Sequence, residues 1–356
     1  MKSILFAGGG TLGPVTPLLA VADRLREMNP EFEFVWAGTE EGPERSLVES
    51  KGITFYSIPV AKLPRYLSRR TLTLPFDLIR AYREADALIA AYVPRVVITA
   101  GGFTAVPIVR QAYIRGVPCI SHQLDATPGL SNRLVARQSR YVTTSFAYTS
   151  SPFNARVVTY QAPTPVRYTA DDLPSREAAC EYFGLDASRP VLFIVGGGTG
   201  AIALNEAMWE IEPALPQDLQ IIHLTGKGKL QEYDTERNGF ILTEFLTDGM
   251  LPALAAADLI VSRAGIGAIS EFASLSKPAV LVPMPDSPQL RNAEELRACT
   301  MVIRQDEPDW KHRLCDTISV LISDPSIRQR LGSSLHDTFP TDRGDVLANL
   351  AMSVMV

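Results

Sequence analysis

The stretch ILFAGGGT (residues 4–11) returns as LFIVGGGT (192–199), roughly half the chain later. Each copy is a short apolar run that stops at glycines and leads into a helical pattern. Apolar runs bounded by glycine and alternating with helices mean β-α-β units and a parallel sheet buried on both faces. Working outward from the first copy, strands are expected at 4–7, 32–37, 96–100, 117–122 and 142–144. Helical patterns cover 15–28, 71–91, 104–115 and 130–137. Around the second copy, strands fall at 191–195, 220–224, 259–262 and 279–283, with helices over 201–212, 267–275, 288–299 and 310–323. The two series are separated by a Pro-rich, polar stretch, 150–176, with Pro152, Pro163, Pro165 and Pro174, which reads as a linker. The fold class is α/β, with two Rossmann-like domains facing across a cleft. The expected divisions are 1–164, 165–340, and a last helix within 341–356 that packs back on the first domain.

Bulk properties agree with this. A length of 356 residues suits two domains, and 46% apolar with 21% charged residues is a globular balance. A formal net charge of −5 argues against a general nucleic-acid binder, so no nucleic-acid partner is expected. Four cysteines without CxxC spacing suggest neither a zinc site nor a disulfide framework. The N-terminal apolar run is too short for a signal peptide, and no run reaches the roughly 18 residues that cross a bilayer. If the protein meets a membrane, it is expected to lie on it.

Gly8, Gly10 and Gly13 satisfy G-x-G-x-x-G, a turn that brings a phosphate to amides at the start of a helix. A dinucleotide site would also place an acid about 20 residues on. Glu40 and Glu41 come rather late for that, so the dinucleotide reading fits poorly. A tight turn without a ligand is the plainer alternative for one such loop. Two loops, one per domain, favour phosphate held on both sides. A third glycine pair, Gly101–Gly102, follows the strand at 96–100.

SRAGIGAISEFA (262–273) carries more information. Amides at the helix start near Gly265 suit a pyrophosphate, with Arg263 as a charge partner. Glu271 is placed either to accept hydrogen bonds from ribose hydroxyls or to be a solvated surface charge. Gln289 and Asn292 are equally readable as hands for sugar hydroxyls or as ordinary caps.

These segments together resemble the MurG family of bacterial N-acetylglucosaminyltransferases, collinearly over nearly the whole chain. GGTLGPVTPLLAVA (9–22) is similar to that family's first glycine loop, GGFTAVP (101–107) to its second, and SHQLDATPGLSNRL (121–134) to its acceptor segment. TPVR (164–167) lies where the family has Asn-Pro-Val-Arg, and GGGTGAIALN (196–205), RAGIGAISE and QLRNA resemble its donor site. The resemblance implies a glycosyltransferase B-type fold. It also implies UDP-N-acetylglucosamine as donor and undecaprenyl-linked muramyl-pentapeptide as acceptor. Gly197, Gly198 and Thr199 would line the donor pyrophosphate, Phe245 and Leu246 would frame uracil, and Glu271 would hold the ribose. Gln289, with Asn292 close by, would meet the hexose, and Arg167 would supply hinge-side polar contacts to the donor. Gly10, Thr11, Gly13, Gly101, Gly102, His122 and Asp125 would face the acceptor. The chain departs from the family pattern at Leu12 (a glycine there) and Pro14 (a histidine). It departs again at Gln123 (a glutamate), Gly198 (a serine) and Thr199 (a glutamine).

KLPRYLSRRTLTLPFDLIRAYR (62–83) combines Arg65, Arg69 and Arg70 with Leu72, Leu74, Phe76 and Ile79. It reads either as an ordinary amphipathic helix or as a basic rim around apolar groups that meets an anionic membrane. The resemblance favours peripheral attachment on the cytoplasmic side of the plasma membrane. The implied chemistry is inverting displacement at the anomeric carbon, which needs a base, for which Asp125 and His122 are the candidates. No Asp-x-Asp motif is present and no cofactor is required by this reading. The alternatives are a UDP-N-acetylglucosamine 2-epimerase, a nicotinamide oxidoreductase using the first glycine loop, and a relative that binds UDP-sugar without turnover.

Overall fold

The computed structural model describes residues 2–59, 69–153, 156–197, 200–230, 235–246 and 248–355, with backbone alone for 2 and 69–75. It separates into two compact units: Met1–Arg167 together with Asp342–Val356, and Tyr168–Thr341.

The first unit is built on β1 (Lys2–Ala7), β2 (Phe32–Gly38), β3 (Thr54–Ser57), β4 (Val96–Thr99), β5 (Cys119–Gln123), β6 (Tyr141–Thr144) and β7 (Tyr160–Gln161). All pair in parallel in the order β3-β2-β1-β4-β5-β6-β7. Helices α1 (Val15–Met28), α2 (Glu44–Ser50), α3 (Arg69–Tyr92), α4 (Ala105–Ile114) and α5 (Leu130–Ala136) make the crossovers. β1 from Ser3 onward and all of β4 are buried because helices cover both faces, and each fully buried Val, Leu or Ile there contributes about 1.5–3 kcal/mol. Phe6 stacks on Trp36 at 5.6 Å, and the Trp36 indole donates to the Gly8 carbonyl at 2.8 Å. Strand packing thereby fixes the start of the first glycine loop.

The chain leaves this unit through β8 (Thr164–Pro165). The second unit comprises α6 (Arg176–Phe183), β9 (Val191–Val195), α7 (Ile202–Ile211), β10 (Gln220–Leu224), β11 (Phe240–Thr243), α8 (Met250–Ala256) and β12 (Leu259–Ser262). It continues with α9 (Ile266–Ser274), β13 (Ala279–Leu281), α10 (Pro288–Glu295), β14 (Met301–Val302), α11 (Trp310–Ser323) and α12 (Pro325–Thr338). Its parallel sheet runs β11-β10-β9-β12-β13-β14, the same winding as the first.

β15 (Thr341–Asp342) then pairs with β8, and α13 (Asp345–Val354) lies against α1. Gly344 makes that approach possible, since a Cβ there would stand 2.9 Å from Val21 Cα, and Arg24 pairs with Asp345 at 2.6 Å. The linker expected at 150–176 is in part structured. β7 extends the first sheet and β8 pairs with β15, so the units divide after Arg167 rather than after 164.

Candidate active site

Both sheets reverse their winding beside the central strand, β1/β4 in one unit and β9/β12 in the other. Open parallel sheets bind ligands outside the carboxyl ends of strands at that point. In the second unit Gly197 follows β9, Phe245 and Leu246 follow β11, Arg263 and Gly265 follow β12, and Gln289 and Asn292 follow β13. All seven come from that one edge. Gly198 and Thr199 lie outside the described residues.

Gly265 caps α9, with Ala268 and Ile269 returning their amides to its carbonyl at 3.1 Å. The amides of Ile266 and Gly267 have no partner among the described residues, and a Cβ on Gly265 would meet nothing within 4 Å. This is an open helix N-terminus of the kind that receives anions. Glu271 stands in the second turn, 5% exposed, and Phe245 is 45% exposed. Gln289 Oε1 accepts from the Met284 amide at 2.9 Å, which leaves its NH₂ to donate.

Two expected donor contacts are corrected. Arg263 is buried and turned inward, donating to Val282 O at 2.9 Å and to Gln305 Oε1 at 2.5 Å, and burial pushes its pKa down to about 10. Asn292 is fully buried and donates to Ala264 O at 3.0 Å. Through these bonds both brace the β12–α9 turn from behind.

Gly200, at the end of the loop after β9, is clamped by its neighbour. At Gly200 (φ +67°) a Cβ would stand 2.2 Å from Thr225 O, so only glycine allows the contact. Asn205 donates to Thr225 O at 3.0 Å and its Oδ1 faces Nε2 of buried His223 at 3.0 Å. Lys229 Nζ donates to Gly200 O at 3.2 Å.

In the first unit Gly10, Thr11 and Gly13 follow β1, Gly101 and Gly102 follow β4, and Asp125 follows β5. Asn132 packs on the Gly101 backbone (φ +98°), where a Cβ would meet its Oδ1 at 2.1 Å. Asn132 donates to Gln123 Oε1 at 2.6 Å, Gln123 donates to Asp125 O at 2.7 Å, and Tyr148 donates to Ala126 O at 2.7 Å. The Asp125 backbone is therefore fixed while its side chain is half-buried.

His122 is corrected as a catalytic candidate. It is fully buried, with Nδ1 at 2.8 Å from Thr143 Oγ1 and Nε2 at 3.1 Å from Ser145 Oγ, which itself accepts from Thr164 at 2.7 Å. Burial lowers its pKa to about 4, and buried His223 behaves alike. Between pH 6.5 and 4 the unfolded imidazoles bind protons that the folded ones do not. Stability is thus full above about pH 6.5 and declines as pH falls, by about 3 kcal/mol per histidine at pH 4. Urea unfolding between pH 7 and 4 is expected to show that slope, reduced in a His122→Gln variant. An unchanged slope would contradict the assignment.

At the first glycine loop the helix start itself is closed. Val15 and Thr16 give their amides to Leu12 O at 3.0 and 3.1 Å, Pro14 and Pro17 carry none, and the Gly10 amide is taken by Glu44 at 3.2 Å. The start of α1 thus offers no free amide of its own, and the amides near it without a partner among the described residues are those of Thr11, Leu12 and Gly13.

The chain matches the Glycosyltransferase family 28 N-terminal domain over residues 4–144 and the Glycosyltransferase family 28 C-terminal domain over residues 191–334. A curated relative from Lachnoclostridium phytofermentans is named UDP-N-acetylglucosamine--N-acetylmuramyl-(pentapeptide) pyrophosphoryl-undecaprenol N-acetylglucosamine transferase. It is 38% identical over 314 residues, covering 86% of this chain and 87% of its own length. The chain belongs to glycosyltransferase family 28, among these N-acetylglucosamine transferases. The crystal structure of Acinetobacter baumannii MurG superposes with a TM-score of 0.73 at 24% identity, over 99% of this chain and 100% of that one. The UDP-GlcNAc 2-epimerase from Neisseria meningitidis bound to UDP-GlcNAc gives 0.68 at 12% identity, over 99% and 100%. Likeness at those identities shows the two-domain glycosyltransferase fold alone, so the epimerase gains no support from it.

Within family 28 terms, three polar residues escaped the sequence reading: Glu44, Asn132 and Asn205. Each sits inside an element rather than at a glycine turn, and each holds a turn from behind. The spacing of Glu44 after β2, close to Glu40 and Glu41, was the one available signal.

Proposed function

We propose that this family 28 glycosyltransferase moves N-acetylglucosamine from UDP-N-acetylglucosamine to a lipid-linked muramyl-pentapeptide, with inversion at the anomeric carbon and release of UDP. The observation that carries the reading is the 38% identity, spanning both units, to a relative named for that reaction. The geometry of each edge supports it. Charge that develops on the leaving diphosphate meets the open amides of Ile266 and Gly267 and the positive end of α9. Glu271 accepts the ribose hydroxyls and Gln289 those of the hexose. The acceptor hydroxyl loses its proton to Asp125, which stands on a loop fixed from three sides, while His122 is sealed and Pro14 has no base to offer.

Glu271→Ala is expected to lower kcat/KM for the donor by about ten- to a hundredfold, the worth of hydrogen bonds to a charged acceptor. Titration calorimetry with UDP would show the same loss. Unchanged UDP affinity would remove Glu271 from the site.

The acceptor's lipid implies contact with a membrane surface. No helix among the described residues is long and apolar enough to cross one. Arg65 lies outside the described residues, as do the side chains of Arg69, Arg70, Leu72 and Leu74. Phe76 is 73% and Ile79 52% exposed on α3, and the adjacent α4 exposes Tyr113 and Ile114. These exposed groups support peripheral attachment to an anionic surface on the cytoplasmic side. Sedimentation with vesicles containing anionic phospholipid is expected to fall about tenfold or more for Phe76→Ser with Ile79→Ser. Equal binding by that variant would place the contact elsewhere.

A further inference from the structure

Glu44 opens α2, is wholly buried, and makes no ion pair among the described residues. Its Oε1 accepts from the Gly10 amide at 3.2 Å, the Thr39 amide at 2.7 Å and the Thr39 hydroxyl at 2.6 Å. Its Oε2 is buried with no hydrogen-bond partner among the described residues. The backbone closes around both oxygens: a Cβ on Gly9 would stand 2.1 Å from Oε1, and one on Gly42 1.9 Å from Oε2. An acid enclosed in this way, reached by amides from two loops, occupies the place an anionic ligand takes at a glycine-rich turn.

We propose that Glu44 is a positioning residue of the acceptor-side glycine loop: its Oε1, seated on the Gly10 and Thr39 amides, fixes Gly10–Gly13 to receive the acceptor sugar. The closure of α1 points the same way from a separate observation. Leu12 O accepts from the Val15 and Thr16 amides, so α1 fixes the far end of the loop while Glu44 fixes the near end. The inference rests on the lipid-linked acceptor being held at the carboxyl edge of the first sheet. Thr11, exposed at the tip, and Gly13 are then the parts of the loop offered to it.

The test compares the full-length protein with Glu44→Ala, Glu44→Asp and Glu44→Gln. Aspartate keeps the charge but is too short to reach the Gly10 amide, and glutamine keeps the Oε1 acceptor without the charge. Two readouts are needed: amide hydrogen exchange over residues 9–13, and steady-state transfer with acceptor and donor varied separately. In Glu44→Ala and Glu44→Asp, exchange at 9–13 is expected to rise about tenfold or more. In both, kcat/KM for the lipid acceptor falls about thirtyfold while KM for UDP-N-acetylglucosamine stays within about twofold. Glu44→Gln restores both readouts to near wild type. Unchanged exchange in both Glu44→Ala and Glu44→Asp overturns the proposal whatever the activity. So does a donor KM that rises in step with the acceptor's, which marks a general loss of structure. Failure of the wild-type protein to label the lipid would instead sink the reading of the reaction, and the exchange comparison would still decide Glu44.

Discussion

Asp125→Asn is expected to lower kcat for transfer by about 10²–10⁴-fold, the usual worth of a general base, with KM for UDP-N-acetylglucosamine little changed. The substitution isolates the proton-accepting role. Gln123 bonds the backbone carbonyl of residue 125, which asparagine keeps, and Tyr148 and Asn132 are untouched. The loop should therefore hold its shape while the carboxylate is lost. Steady-state kinetics with each substrate varied in turn make the measurement. A fall of less than about tenfold would mean that another group takes the acceptor proton. His122 is not that group, because its two ring nitrogens are committed to Thr143 and Ser145 inside the unit.

Arg237→Ala is expected to destabilise the second unit by about 3–5 kcal/mol. Arg237 is 8% exposed and pairs with buried Glu212 through Nε. It also donates to the carbonyls of Glu212 at 2.8 Å, Pro216 at 2.5 Å, Leu219 at 3.0 Å and Leu215 at 3.2 Å. One guanidinium thereby fastens the turn between α7 and β10, and β10 runs into the Thr225 loop that clamps Gly200. Truncation takes the Nε donor from the buried Glu212 carboxylate and one donor from each of four carbonyls, of which Glu212 O and Pro216 O keep the Leu215 and Leu219 amides. Urea unfolding of the single variants and of Arg237→Ala with Glu212→Ala checks this. The double variant is expected to be less harmed than the sum of the singles, because it removes the charge the single one strands. Additive losses would contradict the pairing.

The central strands of both sheets were legible because burial on two faces writes a continuous apolar run. β9 and β12 are found where the sequence places them, and α1 and α11 begin and end as read. β3 (Thr54–Ser57) was not legible: it is an edge strand whose residues alternate exposed and half-buried, so no such run exists. β11, half-buried throughout, was missed for the same reason. α10 stops at Glu295, short of the expected 299, where separate turns such as Leu296 N to Ala293 O take over.

At the site, glycines announced the turns, because a turn at a strand's end demands them. What they could not announce is side-chain direction. Arg263, Asn292 and His122 stand at the right turns and point inward, since the polar backbone behind each turn needs a partner as much as any ligand does. Glu44 is the converse. It is an acid that composition alone would put in solvent, held instead by the Gly10 amide of the first loop and by the amide and hydroxyl of Thr39.

The central claim is the reaction itself, and the direct test is transfer. Purified protein is incubated with radiolabelled UDP-N-acetylglucosamine and a synthetic lipid-linked muramyl-pentapeptide, and label is followed into the lipid fraction. The account predicts lipid-borne label that requires the acceptor, with UDP released in equal amount. Tight UDP-sugar binding with no label in the lipid, or label recovered in an epimerised sugar, would contradict it.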